Sequence, residues 1–206
     1  MRLDDADLRR RLEAARLDAL SAADLRARFV ADADVAANAP AGQQARDPRD
    51  GTVILYNEVR ARRPHDNRPA EAAARAERPC AICAGQTTGI VDVAPLDEGF
   101  TFINKNLYPA LFPHAAAADG VASGLHFLQW SSTVHDHDWH NLPQADRVTL
   151  LRRLAALERV LLQDGAAEAG AAPWPDGRPL RGYLGIFKNY GYLVGGSLAH
   201  GHQQMV

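Results

Sequence analysis

The strongest constraint on this chain is an alternation close to its end. His200, His202 and Gln204 stand at every second position, two residues beyond Gly195-Gly196-Ser197. Residues i, i+2 and i+4 share a face only in extended chain, so this stretch predicts a strand that carries two imidazoles and an amide on one side. The glycines ahead of it let backbone come close to a ligand, and successive N–H groups there can hold an anion. Such a row suits chemistry at phosphorus: one imidazole can attack, while amide and backbone donors steady the developing charge. A polar strand that merely carries histidine is the plainer reading of a single His-x-His. The Gly-Gly-Ser turn and Gln204 argue against it.

The remaining sequence sets the bounds. A chain of 206 residues with 47% hydrophobic content supports one domain, or one domain with an appendage. A net charge of −2 points to neither nucleic acid nor a membrane surface as a partner. No apolar run reaches the roughly 18 residues of a membrane span. Met1 to Arg11 is charged and lacks an apolar core, so no signal peptide is expected. The two cysteines form Cys80-Ala81-Ile82-Cys83. With those features the expected location is the cytoplasm, where such a pair is a metal or redox site more often than a structural disulfide.

Taken in order, residues 4 to 30 read as two short helices, the second opened by a capping box of Ser21 and Asp24. Residues 31 to 45 read as an Ala-, Asn- and Gln-rich linker. Thr52 to Tyr56 reads as a strand leading into Arg60-Ala61-Arg62-Arg63-Pro64, whose guanidinium forks match phosphate oxygens. A short helix is expected over 70 to 77. The cysteine pair follows; it is half of a zinc site and needs two further ligands, which the downstream histidines can supply. A redox dithiol would need a βαβ context that the pattern lacks. Phe100 to Asn104 and Leu125 to Ser131 read as strands, the second delivering His135-Asp136-His137-Asp138-Trp139-His140. Pro143 to Leu162 is the clearest helix, with Val148, Leu151, Leu154, Ala155, Val160 and Leu161 as its apolar face, widened by Leu150 and Leu157. Residues 164 to 179 read as a loop and Gly182 to Lys188 as a strand. The layout is α+β: antiparallel strands with one main packed helix and a helical N-terminal extension.

Several motifs in register carry a resemblance. Cys-x-x-Cys-Ala-Gly, Asn-x-Tyr-Pro-Ala-Leu, a histidine ahead of Leu-Pro and a helix, and Asn-x-Gly leading to Gly-x-Ser-x-x-His-x-His-x-Gln together resemble the galactose-1-phosphate uridylyltransferase family of the histidine-triad superfamily. Asp47-Pro48, Gly51 and the Arg-Ala-Arg-Arg-Pro loop resemble that family's opening strand. The resemblance covers residues 46 to 206 and leaves 1 to 45 as an extension and linker. It implies a histidine-triad-like antiparallel sheet and ping-pong nucleotidyl transfer between a UDP-sugar and a sugar 1-phosphate. His202 would be the nucleophile that carries a uridylyl group, and Gln204 would steady the phosphoryl oxygens. Arg60, Arg63, Asn106, Asn189 and Ser197 match nucleotide- and phosphate-contacting positions. The implied cofactor is Zn2+, held by Cys80, Cys83, His200 and a histidine of the 135–140 cluster, with His137 preferred and His135 the alternative.

This sequence also departs from the family pattern. Asp138 stands where a histidine is usual, Gly201 where a proline separates the two histidines, and Gly196 where cysteine is common. Leu107 replaces the acidic residue of the pair near the base. Family members are two half-domains, and this chain ends two residues after Gln204, so a truncated first half is expected, with a homodimer as one arrangement that would supply the rest. Two other readings share the pattern: an ADP-sugar or diadenosine-polyphosphate phosphorylase, and a zinc-stabilised nucleotide-binding half-domain without turnover.

Overall fold

The computed structural model describes residues 17–62, 80–113, 121–164, 184–194, 196 and 198–206. The helices expected before residue 17 and over 70 to 77, most of the loop over 164 to 179, Arg63 and Ser197 lie outside the described residues. Within them the architecture is α+β: a five-stranded antiparallel sheet covered on one face by helices.

Among the described residues seven strands form: β1 (Gln44–Arg46), β2 (Val53–Leu55), β3 (Ile90–Pro95), β4 (Phe100–Lys105), β5 (Phe127–Trp130), β6 (Ile186–Phe187) and β7 (His202–Met205). β1 and β2 make a separate two-stranded ribbon, and the main sheet runs β3-β4-β5-β7-β6. The helices are α1 (Ala22–Val30), α2 (Ala33–Ala37) and α3 (Gln144–Arg159), the last running on into a π-helical turn at Val160–Asp164.

The period of two sorts each strand between the sheet's faces. Val91, Ile103, Phe127 and Met205 meet Leu154 and Leu157 of α3 and Leu25 and Phe29 of α1 in one core. Phe102 and Trp130 face the other way, in a second cluster with Ile82. On that second face Phe102 lies opposite Trp130 and Trp130 opposite His202; one step along, Asn104 lies opposite Leu128 and Leu128 opposite Gln204. The register therefore carries the polar strand to the face away from α3, and a slip by one residue would turn Gln203 out in place of His202.

Three local readings are revised. α3 buries Leu150, Leu154 and Leu157, spaced i, i+4, i+7, whereas Val148, Leu151 and Ala155 are exposed. The apolar residues wrap too far round α3 to bury together, and the sheet receives the stripe at Leu150. Residues 31 to 45, read as linker, contain α2 and β1. Asp32 caps α2 by accepting from the Val35 N–H, and its carboxylate is ion-paired with Lys105, which also donates to the Arg28 carbonyl. Val35, Leu25 and Leu17 are fully buried in the main core, so this segment packs as part of the sheet's own cover. β3, which the sequence reading passed over, forms the edge of the sheet. The Ser21–Asp24 capping box is present.

Candidate functional site

β7 is entered through a short bend at Ala199 and His200, and Gly201 leads into His202. His200 thus stands just ahead of the strand rather than on it, and the two imidazoles part company. Trp130, opposite His202, separates them. Its ring meets His200 edge-on at 5.4 Å and His202 at a tilt at 4.9 Å, and its Nε1–H donates to Asn104 Oδ1 at 2.8 Å.

His200 is fully buried and faces the cysteines. Its Nε2 lies 2.7 Å from the Ser132 carbonyl oxygen. A carbonyl only accepts, so Nε2 carries the proton and Nδ1 is bare. That Nδ1 lies 3.6 Å from both Cys80 Sγ and Cys83 Sγ. Burial pushes the His200 imidazolium below its usual range, outweighing the favourable Ser132 carbonyl, so the ring is held in its metal-ligating, neutral form. His135 completes the group, with Nδ1 3.4 Å from Cys83 Sγ, and all four donor atoms lie within 4.8 Å of one another. Metal–sulfur bonds of about 2.3 Å and metal–nitrogen bonds of about 2.0–2.1 Å at tetrahedral angles require S···N separations of about 3.6 Å, close to the 3.4–3.6 Å of the His200–Cys80, His200–Cys83 and His135–Cys83 pairs. The turn that follows Cys80, closed by Ala84 N–H on the Cys80 carbonyl, puts both sulfurs on one side. Burial and then the neighbouring Cys80 thiol push the Cys83 thiol up, a cost that a cation between the sulfurs would remove. The residues therefore fit a tetrahedral metal ion.

The preferred fourth donor from sequence, His137, is not in this group. It is turned outward, with Nε2 3.8 Å from the Glu98 carboxylate. The reason is local: the chain turns at Val134, whose carbonyl accepts from the His137 N–H, and this turn points His135 inward.

His202 faces a cleft of about 500 Å³ on the open side of the sheet. Its Nδ1 lies 2.9 Å from the His200 carbonyl oxygen, so here Nδ1 carries the proton and Nε2 is the basic nitrogen. Arg60, Asn106 and Gln204 line the same cleft, and so do Leu107 and, from α2, Asp34 and Asn38. Arg60 belongs to a 3-10 turn over Glu58–Arg62 and donates to the Tyr108 carbonyl at 2.8 Å. Asn106 accepts from the Tyr108 N–H on Oδ1. Asn189 lines a smaller neighbouring cavity of about 200 Å³ with Lys188, Tyr190 and both histidines. So of the residues expected at the nucleotide and phosphate, Arg60, Asn106 and Gln204 converge on the cleft and Asn189 reaches His202 from its other side.

Two groups at this site escaped the sequence reading. His126 is fully buried behind Gln204, with Nε2 3.1 Å from Gln204 Oε1. It is a lone histidine one residue ahead of β5, and no spacing marks it. The other group is an ion pair. Asp138, noted only as a departure, is 4% exposed. Lys188 Nζ lies 2.8 Å from both of its carboxylate oxygens, in hydrogen-bonding geometry to Oδ1 and held to Oδ2 by charge alone. Burial pushes the Asp138 carboxyl up, but hydrogen bonds from Lys188, Ser131 and the Trp139 N–H outweigh it and hold it below the usual range. Lys188 also donates to the His202 carbonyl at 3.1 Å. The carboxylate lies where a side chain at Gly201 would begin: a Cβ there would meet Asp138 Cγ at 2.5 Å. At Gly196 a Cβ would meet the Gly191 carbonyl oxygen at 2.8 Å, so the cysteine common in the family does not fit this turn.

No protein-family model and no curated protein matches the chain. Solved structures do. A uridylyltransferase is 24% identical over 79% of this chain and 44% of its own, with a TM-score of 0.46. A GALT-like protein from Arabidopsis thaliana is 20% identical over 79% of this chain and 46% of its own, at 0.47. An ADP-glucose phosphorylase from Arabidopsis thaliana, with bound ADP-glucose, is 21% identical over 79% of this chain and 47% of its own, at 0.47. The chain is thus similar to these proteins along most of its own length and spans less than half of theirs.

Proposed function

We propose that this chain is the nucleotide-binding half of a nucleotidyltransferase of the galactose-1-phosphate uridylyltransferase kind, working through a covalent nucleotidyl-histidine. The observation that carries the reading is the state of His202: its Nδ1 is held by the His200 carbonyl, which leaves Nε2 as the basic nitrogen, and the residue lines a cleft that Arg60 and Gln204 share. In the first step Nε2 attacks the α-phosphorus of a nucleotide sugar. An N–P bond forms, the bond from phosphorus to the bridging oxygen breaks, and its electron pair leaves with the sugar 1-phosphate. In the second step an oxygen of an incoming sugar 1-phosphate attacks the same phosphorus and the N–P electron pair returns to Nε2. The proton stays on Nδ1, hydrogen-bonded to the His200 carbonyl throughout, and that carbonyl stabilises the positive charge the ring acquires. Arg60 is placed to neutralise phosphate oxygens and Gln204 to donate to them.

Zinc is the ion that the Cys80, Cys83, His135 and His200 donor set suits best. Bound by these residues it would be structural, fixing His200, whose carbonyl orients His202.

The test is incubation with UDP-glucose and, separately, ADP-glucose, followed by mass measurement of the intact chain. A uridylyl adduct that is absent from His202→Asn supports the uridylyltransferase reading. An adenylyl adduct alone moves the assignment to the phosphorylase reading, for which the place of Leu107 in the cleft leaves room. Binding without any adduct would sink the covalent mechanism.

A further inference from the structure

Resting on the reading of His202 and Gln204 just given, we propose that His126 is a positioning residue that fixes which end of the Gln204 amide faces the reacting phosphoryl group. The side-chain amide of glutamine is an acceptor at one end and a donor at the other, and the two ends differ little in shape. Only the donor end helps a developing oxyanion, so something must choose between them. At this site the choice is traced to a backbone N–H.

The Ala110 N–H points at His126 Nδ1 from 2.7 Å. An N–H can only donate, so Nδ1 is bare. Arg60 Nη1, a second donor, lies 3.5 Å from the same nitrogen and agrees. The ring proton therefore sits on Nε2, which has Gln204 Oε1 at 3.1 Å. His126 can then accommodate only the oxygen of Gln204, and the amide nitrogen is left for the cleft. A reversed amide would set N–H against N–H inside the protein, where an unmade bond is costly. Asn106 Nδ2, fixed as a donor by the Tyr108 N–H on Asn106 Oδ1, also lies 3.1 Å from His126 Nε2 and opposes a proton there, but two donors face Nδ1, one of them at 2.7 Å, so the balance keeps the proton on Nε2 with Gln204 Oε1 as its acceptor. His126 itself is fully buried. The chain of command runs from Ala110 N–H through the ring to Gln204, across strands β5 and β7.

Two near-isosteric variants separate the ring's two nitrogens. The amide of asparagine reproduces the Nδ1 position and that of glutamine the Nε2 position. His126→Asn keeps the acceptor for Ala110 and loses the donor to Gln204; His126→Gln does the reverse. Expected for His126→Asn is adduct formation slowed about tenfold, the value of one buried hydrogen bond, with nucleotide-sugar affinity changed less than about twofold. His126→Gln should recover most of that rate. An unchanged adduct rate in His126→Asn overturns the proposal while leaving the function intact. A wild-type chain that forms no adduct overturns the function, and the orientation is then decided by nitrogen NMR of the wild-type imidazoles, which needs no turnover. His126 is expected as the neutral Nε2–H tautomer. A proton on Nδ1, or an imidazolium at neutral pH, overturns the proposal whether or not the variants fold.

Discussion

His200 and His202 are chemically identical side chains two residues apart, packed on the same tryptophan, yet they present opposite nitrogens. His200 donates from Nε2 to the Ser132 carbonyl and turns a bare Nδ1 to two sulfurs. His202 donates from Nδ1 to the His200 carbonyl, which leaves Nε2 as its basic nitrogen, and the residue lines the cleft. What divides their labour is the position of one carbonyl oxygen beside each ring, which selects the tautomer and hence the nitrogen that can bind or attack. The two sites are also in series, since the residue that faces the sulfurs supplies the carbonyl that orients the other ring.

Removing the attacking ring is the harshest test of that division. His202→Asn should bring adduct formation to background while the metal content of the chain stays at about one per chain, read by metal analysis. The reverse pattern is expected at the other site. Cys80→Ser should strip the metal and lower the melting temperature by at least about 5 °C, because binding energy at a structural site is folding energy. If that variant kept its metal, the four-donor site would be wrong.

A gentler break leaves both rings in place and removes what holds the strand between them. Asp138→Asn should destabilise the chain by about 3 kcal/mol at pH 7, because it leaves the Lys188 charge without its partner. The pH dependence follows in sign. The folded carboxyl titrates below its ordinary value of 3.8, so its contribution is complete above that value and is lost as the pH falls through the folded pKa. The gap between wild type and variant should therefore close on acidification, measured by urea unfolding at pH 7 and near pH 3. A gap that widened in acid would contradict the ion pair. The smallest expected effect is that of Gly201→Ala, about 1–3 kcal/mol from forcing a β-carbon against the Asp138 carboxylate, by the same unfolding measurement.

The sequence made β4, β5, the capping box, the cysteine turn and the shared face of His202 and Gln204 legible because each is local: propensity, spacing and turn chemistry act over a few residues. What stayed hidden depends on residues far apart in the chain. The inward turn of His135 rather than His137 is set by how residues 132 to 137 fold back over the cysteines, and distance to Leu142 and Pro143 does not encode it. α2 hid in an alanine-rich stretch; Asp32 three residues ahead of Val35 was its one local sign. The face of α3 followed the sheet, so Leu150 went inside and Leu151 outside. His126 has no local signature at all, because its meaning lies in Ala110 on one side and Gln204 on the other.

The contact between Asp138 and Gly201 also bears on how this chain could change. A β-carbon at 201 is free of strain only once 138 has given up its carboxylate, and giving that up first strands Lys188. Any stepwise exchange at these positions passes through a poorer intermediate, whichever goes first. A library that randomises position 201 alone should return glycine, and one that randomises 138, 188 and 201 together should return coordinated triplets.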